Sequence, residues 1–193
     1  MTSDEAKELI QGAVLDDAGR PVGPTWADLG SGSGTFTFAL AELLGLRGWV
    51  AAVDREAAAL DSLRQGLRSR AAPQGGADAL AAVVPAVGDF KEPGSIPALE
   101  GRTLDGALFA NALHFDPEPG RTLRQFAERL TPGGRLVVVE YQDRPPNPWV
   151  PHPLPVARLE EVAADEELGA PRVVGERPSS YGGVLYCAWL SGG

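Results

Sequence analysis

Four residues at alternate positions, Asp28, Gly30, Gly32 and Gly34, lie between a short apolar run, Trp26 to Leu29, and a helix-like stretch, Thr35 to Leu44. Glycines in a strand-to-helix turn accept positive φ and let backbone amides come close to a ligand. The helix behind them adds free N–H groups and the positive end of its dipole. Such a turn suits a small ligand with anionic or polar groups. Spacing narrows the choice of ligand. The dinucleotide pattern Gly-x-Gly-x-x-Gly/Ala puts Thr35 or Thr37 at its last position and fails both times. A phosphate loop of the Gly-Lys-Ser/Thr type needs a lysine, and none lies between Lys7 and Lys91.

Further candidates follow the later apolar runs. Asp54 ends the second run, where a carboxylate can accept hydrogen bonds from both hydroxyls of a ribose or cap the helix that follows. Gly88-Asp89-Phe90 ends the third and reads as a polar turn with either a stacking or a core phenylalanine. Asn111-Ala112-Leu113-His114-Phe115 follows the fourth. His114, one of two histidines, has the unperturbed pKa near 6.5 of a general base; equally, it can serve only to hydrogen-bond its own loop. His114 and His152 are distant in sequence and lack spaced carboxylates, so no metal site is expected. The proline-rich segment from Glu140 to His152 carries Tyr141 and Trp149. It either roofs a pocket with aromatic groups or packs them on itself, and the Ser179–Gly183 turn is similarly open.

These residues need strands to present them. Thr2 and Glu5 have capping-box spacing and open a helix to about Val14. Strands are expected at Trp26–Leu29, Trp49–Val53, Ala81–Val87, Asp105–Ala110 and Arg135–Glu140, with helices at Thr35–Leu44, Glu56–Arg70, Gly120–Leu130 and Pro155–Leu168. A Pro/Gly linker is expected at Pro73–Gly76. Alternation of this kind makes a parallel sheet covered on both faces. Two last strands, Arg172–Glu176 and Val184–Leu190, are joined too tightly for a crossover helix and must pair antiparallel.

At 193 residues the chain can bury a full core, and 44% hydrophobic with 22% charged residues is a globular composition. The net charge of −9 opposes nucleic-acid binding, which clustered Lys and Arg normally carry. Nor does an apolar run approach the roughly 18 residues of a membrane helix. The first residues lack a signal-peptide pattern, which makes the cytoplasm the expected location. The single cysteine, Cys187, excludes an internal disulfide and reads as core packing.

The Asp28-x-Gly30-x-Gly32-x-Gly34 pattern resembles the first motif of the class I methyltransferases, which bind S-adenosylmethionine (SAM). Thr131-Pro132-Gly133-Gly134-Arg135 resembles their Leu-x-Pro-Gly-Gly turn, and the element order is similar over nearly the whole chain. The resemblance implies a Rossmann-like α/β three-layer sandwich, with a seven-stranded, mostly parallel sheet whose last strand is antiparallel, forming a single domain over residues 1–193. In that strand order the third strand is an edge, which suits Pro85. The resemblance also implies SAM as cosubstrate. Its holders would be Asp28, Gly30, Ser31, Gly32 and Gly34 in the loop, Asp54 and Arg55 at the ribose, Gly88, Asp89 and Phe90 at the adenine, and Asn111 and Ala112 beneath the methionine part. His114 and Tyr141 are the candidate catalytic groups. The Asn/Asp-Pro-Pro-Tyr/Phe motif of many amino-group methyltransferases is absent. The expected activity is methyl transfer to a small-molecule nucleophile by in-line displacement, in a monomer or homodimer with no nucleic-acid or membrane partner. A non-catalytic SAM- or nucleotide-binding regulator is an alternative. An NAD-dependent oxidoreductase is another, opposed by the failed spacing and the lack of a Tyr-x-x-x-Lys pair.

Overall fold

A computed structural model describes residues 1–71 and 80–193; the expected linker at Pro73–Gly76 lies outside the described residues. Short, mostly apolar runs form β1 (Thr25–Leu29), β2 (Trp49–Asp54), β3 (Ala82–Val87) and β4 (Leu104–Ala110). Beyond them come β5 (Leu130–Tyr141), β6 (Arg172–Pro178) and β7 (Val184–Ser191). The helices are α1 (Ser3–Val14), α2 (Thr35–Leu44), α3 (Ala57–Ala71), α4 (Pro119–Ala127) and α5 (Val156–Asp165). The Thr2–Glu5 capping box forms as the spacing requires: Thr2 Oγ1 accepts from the Glu5 amide, and Glu5 Oε2 accepts from the Thr2 amide at 2.7 Å.

All seven strands form one sheet in the order β3-β2-β1-β4-β5-β7-β6. The first five are parallel, and β7 runs antiparallel to both β5 and β6, between which it lies. Pro85, which has no N–H to donate, sits in β3 at the sheet edge, where that loss is tolerated. Alternation along each strand divides the core in two. Trp26, Val50, Val137 and Cys187 pack under α1 and α2, while Leu29, Val53, Phe109 and Tyr186 pack under α4 and α5. Trp26 is fully buried, its indole donating to the Gly23 carbonyl. The neighbouring strand meets it with Gly106, because any Cβ there would overlap the indole ring. Burial pushes the Cys187 thiol up to about 12.

Three boundaries depart from expectation. Strand β5 starts at Leu130 rather than Arg135, because the Thr131–Gly134 turn bulges within it. Leu104 pairs with Leu130, and the next pair is Gly106 with Arg135. Thr131 Oγ1, donating to Asp105 at 2.8 Å, and Gly133 at φ 84° hold the excursion. Helix α4 therefore ends at Ala127, three residues short of the expected Leu130. Helix α5 ends at Asp165, ahead of Glu167, which takes a left-handed φ of 56°. Among the described residues no helix is long and apolar enough to cross a membrane.

Candidate functional site

The strand order reverses between β1 and β4, and ligands of open α/β sheets lie at the carboxyl ends of the strands beside such a point. Two adjoining clefts open there and share Gly30 and Asn111. The larger, of about 630 Å³, runs from the glycine loop to Tyr141 and the β6–β7 hairpin. The smaller, of about 220 Å³, lies beside Asp54, Asp89 and Phe90.

The loop between β1 and α2 is built for close approach. Gly30 has φ 82°, and a Cβ on it would stand 2.7 Å from the Ala112 Cβ. Any larger residue would push the β1 and β4 loops apart. Gly32 has φ 54° and open space where a Cβ would be, and its amide donates to Asp54 Oδ2 at 2.7 Å. Asp54 Oδ1 accepts from the Glu56 amide at 2.8 Å, closing a turn just ahead of α3. Each oxygen keeps a further lone pair for a ligand hydroxyl.

Asp28 is buried at the end of β1, where Oδ2 accepts from Thr37 Oγ1 at 2.6 Å. Among the described residues its Oδ1 has no partner, and neither have the buried Ser31 Oγ and Asn111 Oδ1. All three residues line the larger cleft. Burial pushes the Asp28 carboxyl up to about 7 against the opposing Thr37 hydrogen bond, with a further push from the Asp54 charge. Asn111 itself is left-handed at φ 53°, and its amide donates to the Val139 carbonyl at 2.8 Å. Buried polar atoms are normally paired, so three orphans on one cleft wall mark a place for a polar ligand.

In the smaller cleft, Asp89 Oδ1 accepts from the Lys91 amide at 2.9 Å. Phe90 meets Phe109 edge to face at 5.9 Å. Arg55, Gly88, Ala112 and Phe115 complete this wall. Gly34 lines neither cleft: at φ 99° it caps α2, and a Cβ there would overlap Leu63. Every other residue expected at the cosubstrate thus lies in one cleft or both.

The two candidate catalytic groups separate. Tyr141, at the end of β5, lines the larger cleft with its hydroxyl 3.4 Å from Ser179 Oγ and the Arg144 guanidinium over its ring. His114 lies behind the wall and lines neither cleft; it is 3% exposed. Its Nδ1 sits 2.7 Å from Oε2 of the fully buried Glu140, whose Oε1 accepts the His114 amide at 3.2 Å. This arrangement is that of a histidine fixing its own loop. Beyond Tyr141 the proline-rich segment stays off the wall: Trp149 is 79% exposed, and Asn147 ties the turn to itself through the Trp149 and Val150 amides.

Among the residues lining the larger cleft, sequence reasoning missed two charged side chains, Glu5 and Arg177. Arg177 Nη2 donates to Glu5 Oε1 at 2.7 Å and Nη1 to the Glu5 carbonyl at 3.0 Å. No local pattern announces a pair so far apart in sequence. Among the described residues no group of His, Cys, Asp and Glu is disposed to hold a metal ion.

A family model described as a methyltransferase domain matches residues 23–176. Among solved structures, the chain is similar to the mitomycin 7-O-methyltransferase MmcR, at 23% identity and TM-score 0.65 over 99% of this chain and 54% of that one. It is also similar to the CcbJ methyltransferase of Streptomyces caelestis, at 18% identity and TM-score 0.66 over 99% of this chain and 95% of that one. Magnesium protoporphyrin IX methyltransferase of Synechocystis PCC 6803, solved with bound SAH (S-adenosylhomocysteine), gives 13% identity and TM-score 0.68 over 97% and 82%. The chain thus spans about half of MmcR and nearly all of CcbJ. At these identities the likeness speaks for the fold. No curated protein matches the chain in sequence.

Proposed function

The chain belongs to the methyltransferase-domain family, with SAM as cosubstrate, and from that premise we propose that it methylates a small-molecule nucleophile bound in the larger cleft. The observation that carries the placement is the row of unpartnered buried acceptors, Asp28 Oδ1, Ser31 Oγ and Asn111 Oδ1. The cosubstrate's methionine end carries an ammonium that donates hydrogen bonds, and such a group satisfies orphaned acceptors. The adenosine end fits the smaller cleft. There Asp54 takes the ribose hydroxyls, Asp89 accepts from the exocyclic amine, and Phe90 lies beside the ring, with Gly88, Arg55 and Ala112 around them.

The cosubstrate supplies an activated methyl on a sulfonium, so the protein's part is alignment and exclusion of water. The glycine loop fixes one reactant by its backbone. Tyr141, its ring held by Arg144 and its hydroxyl near Ser179, is placed to orient the other by a hydrogen bond. A volume of about 630 Å³ suits a compact ligand. His114 has no part in this reading, since Glu140 occupies its Nδ1 and the ring lies behind the wall.

Isothermal titration with SAM and SAH tests the site, and SAH release on incubation with small phenols, amines and thiols tests the transfer. Micromolar binding weakened about a hundredfold by Asp54→Ala, with turnover of at least one acceptor class, is the expected result. Absence of binding by the wild-type protein overturns the reading.

A further inference from the structure

Two arginines tie helix α1 to the sheet, one at each end, and they differ in physical sense. Arg135 donates to the Ala13 and Leu15 carbonyls at 2.8 and 3.2 Å, placing a cation at the helix C-terminus, where the dipole welcomes it. Arg177 sits at the opposite end, against the first turn, where a cation opposes the dipole. Helix α1 does not need it for docking. A Cβ on Gly175 of β6 would come within 2.8 Å of the Leu9 carbonyl, and one on Gly12 within 3.2 Å of Val174, so helix and strand already touch along their length.

Arg177 is also the sole cationic side chain among the described residues lining the larger cleft. Its side chain is 25% exposed. Two of its N–H donors go to Glu5, out of five on a guanidinium. Glu5 in turn has its other oxygen on the Thr2 amide in the capping box. A cation placed against the dipole, reachable from the cleft and with donors to spare, is arranged to receive an anion.

We propose that Arg177 reads a carboxylate on the ligand that fills the larger cleft, with Glu5 as the internal anion that holds the guanidinium until the ligand arrives. The inference rests on the cleft being the site of methyl transfer. The carboxylate has two sources there, the methionine end of the cosubstrate and the acceptor itself, and the guanidinium fork fits either in the same bidentate manner. Glu5 then competes with the ligand, so neutralising Glu5 strengthens binding and removing Arg177 weakens it.

The test titrates the full chain with SAH and with 5′-methylthioadenosine, which lacks the amino-acid end, and then titrates the SAH-loaded protein with benzoate and benzamide. The variants are Arg177→Met, Arg177→Lys and Glu5→Gln, the last keeping the capping box because glutamine can fill that position. If the cosubstrate carries the carboxylate, Arg177→Met weakens SAH by about ten- to a hundredfold. Methylthioadenosine stays unchanged, Arg177→Lys recovers part of the loss, and Glu5→Gln tightens SAH. If the acceptor carries it, the same variants leave SAH alone and change benzoate but not benzamide. Equal weakening of SAH and methylthioadenosine, or no change in SAH and benzoate for folded Arg177→Met, overturns the inference and leaves the functional reading intact. Wild-type protein that binds neither adenosyl compound removes both.

Discussion

The two walls of the larger cleft are made from different kinds of sequence. The near wall, with Asp28, Gly30, Ser31 and Asn111, comes from residues at or just beyond the ends of β1 and β4, held by backbone geometry or, for Asp28, by Thr37 of the following helix. The far wall gathers Glu5 from the first helix, Tyr141 from the end of β5 and Arg177 to Tyr181 from the β6–β7 hairpin. Its bonds join remote segments: Arg177 to Glu5, Tyr141 to Ser179, and Arg144 to the Tyr181 carbonyl. The near wall is fixed by the parallel sheet itself, so it can change little without changing the fold. The far wall is bonded largely through side chains and can be altered residue by residue. A wall for a ligand shared across a family belongs on the first, and a wall for a ligand particular to one protein belongs on the second.

Substitutions can sharpen or break this contrast. The largest effect is expected at Asp28. Its carboxyl rises from 3.8 in an open chain to about 7 when buried, so between those values the folded protein holds a proton that the unfolded chain has lost. Stability must therefore fall as pH rises from about 4 to about 7, by up to about 4 kcal/mol from this group. Urea unfolding across that range should show the slope, and Asp28→Asn should flatten it. Next, Asp54→Ala should weaken SAM by about a hundredfold, about 3 kcal/mol, through two lost charge-assisted hydrogen bonds and a freed Gly32 amide; calorimetry reads this directly.

Gly30→Ala comes third, at about 2 kcal/mol of stability, from the collision with Ala112 together with the left-handed φ. Adding Ala112→Gly should recover the collision part only, which a double-mutant cycle in urea would resolve. Tyr141→Phe is the smallest: the SAM dissociation constant stays, and acceptor turnover drops by about threefold to tenfold, the worth of one partly exposed hydrogen bond. Should Tyr141→Phe weaken SAM as much as it slows turnover, the two walls are not separate in function and the contrast fails.

How far the sequence could be read follows the same division. The places of the glycine loop, Asp54, Asp89 and Asn111 beside the clefts were legible because each stands at or just after the end of an apolar run. The edge position of β3 was legible through Pro85, since one missing N–H restricts where a strand can lie. The early start of β5 was hidden because Pro132-Gly133-Gly134 signals a turn whether or not pairing resumes on both sides of it. Glu140 gave no sign of its role either: at the end of an apolar strand it looks like the first solvated residue, and only the fold brings His114 onto it. His114 shows the converse, a residue whose type suggests chemistry that its burial withholds. For Glu5 and Arg177 the controlling fact is a contact between the first helix and the sixth strand, which no local pattern carries.

The lone cysteine makes the molecule its own clock. Cys187 lies in β7 with neighbours on both sides in the sheet and a helical layer above it, and its thiol is held as the unreactive neutral form. A thiol-selective dye can therefore mark the chain only after β7 has come out of the sheet. At saturating dye the labelling rate equals the opening rate, so one absorbance trace would time how long the central strands stay closed and how much a bound ligand prolongs it.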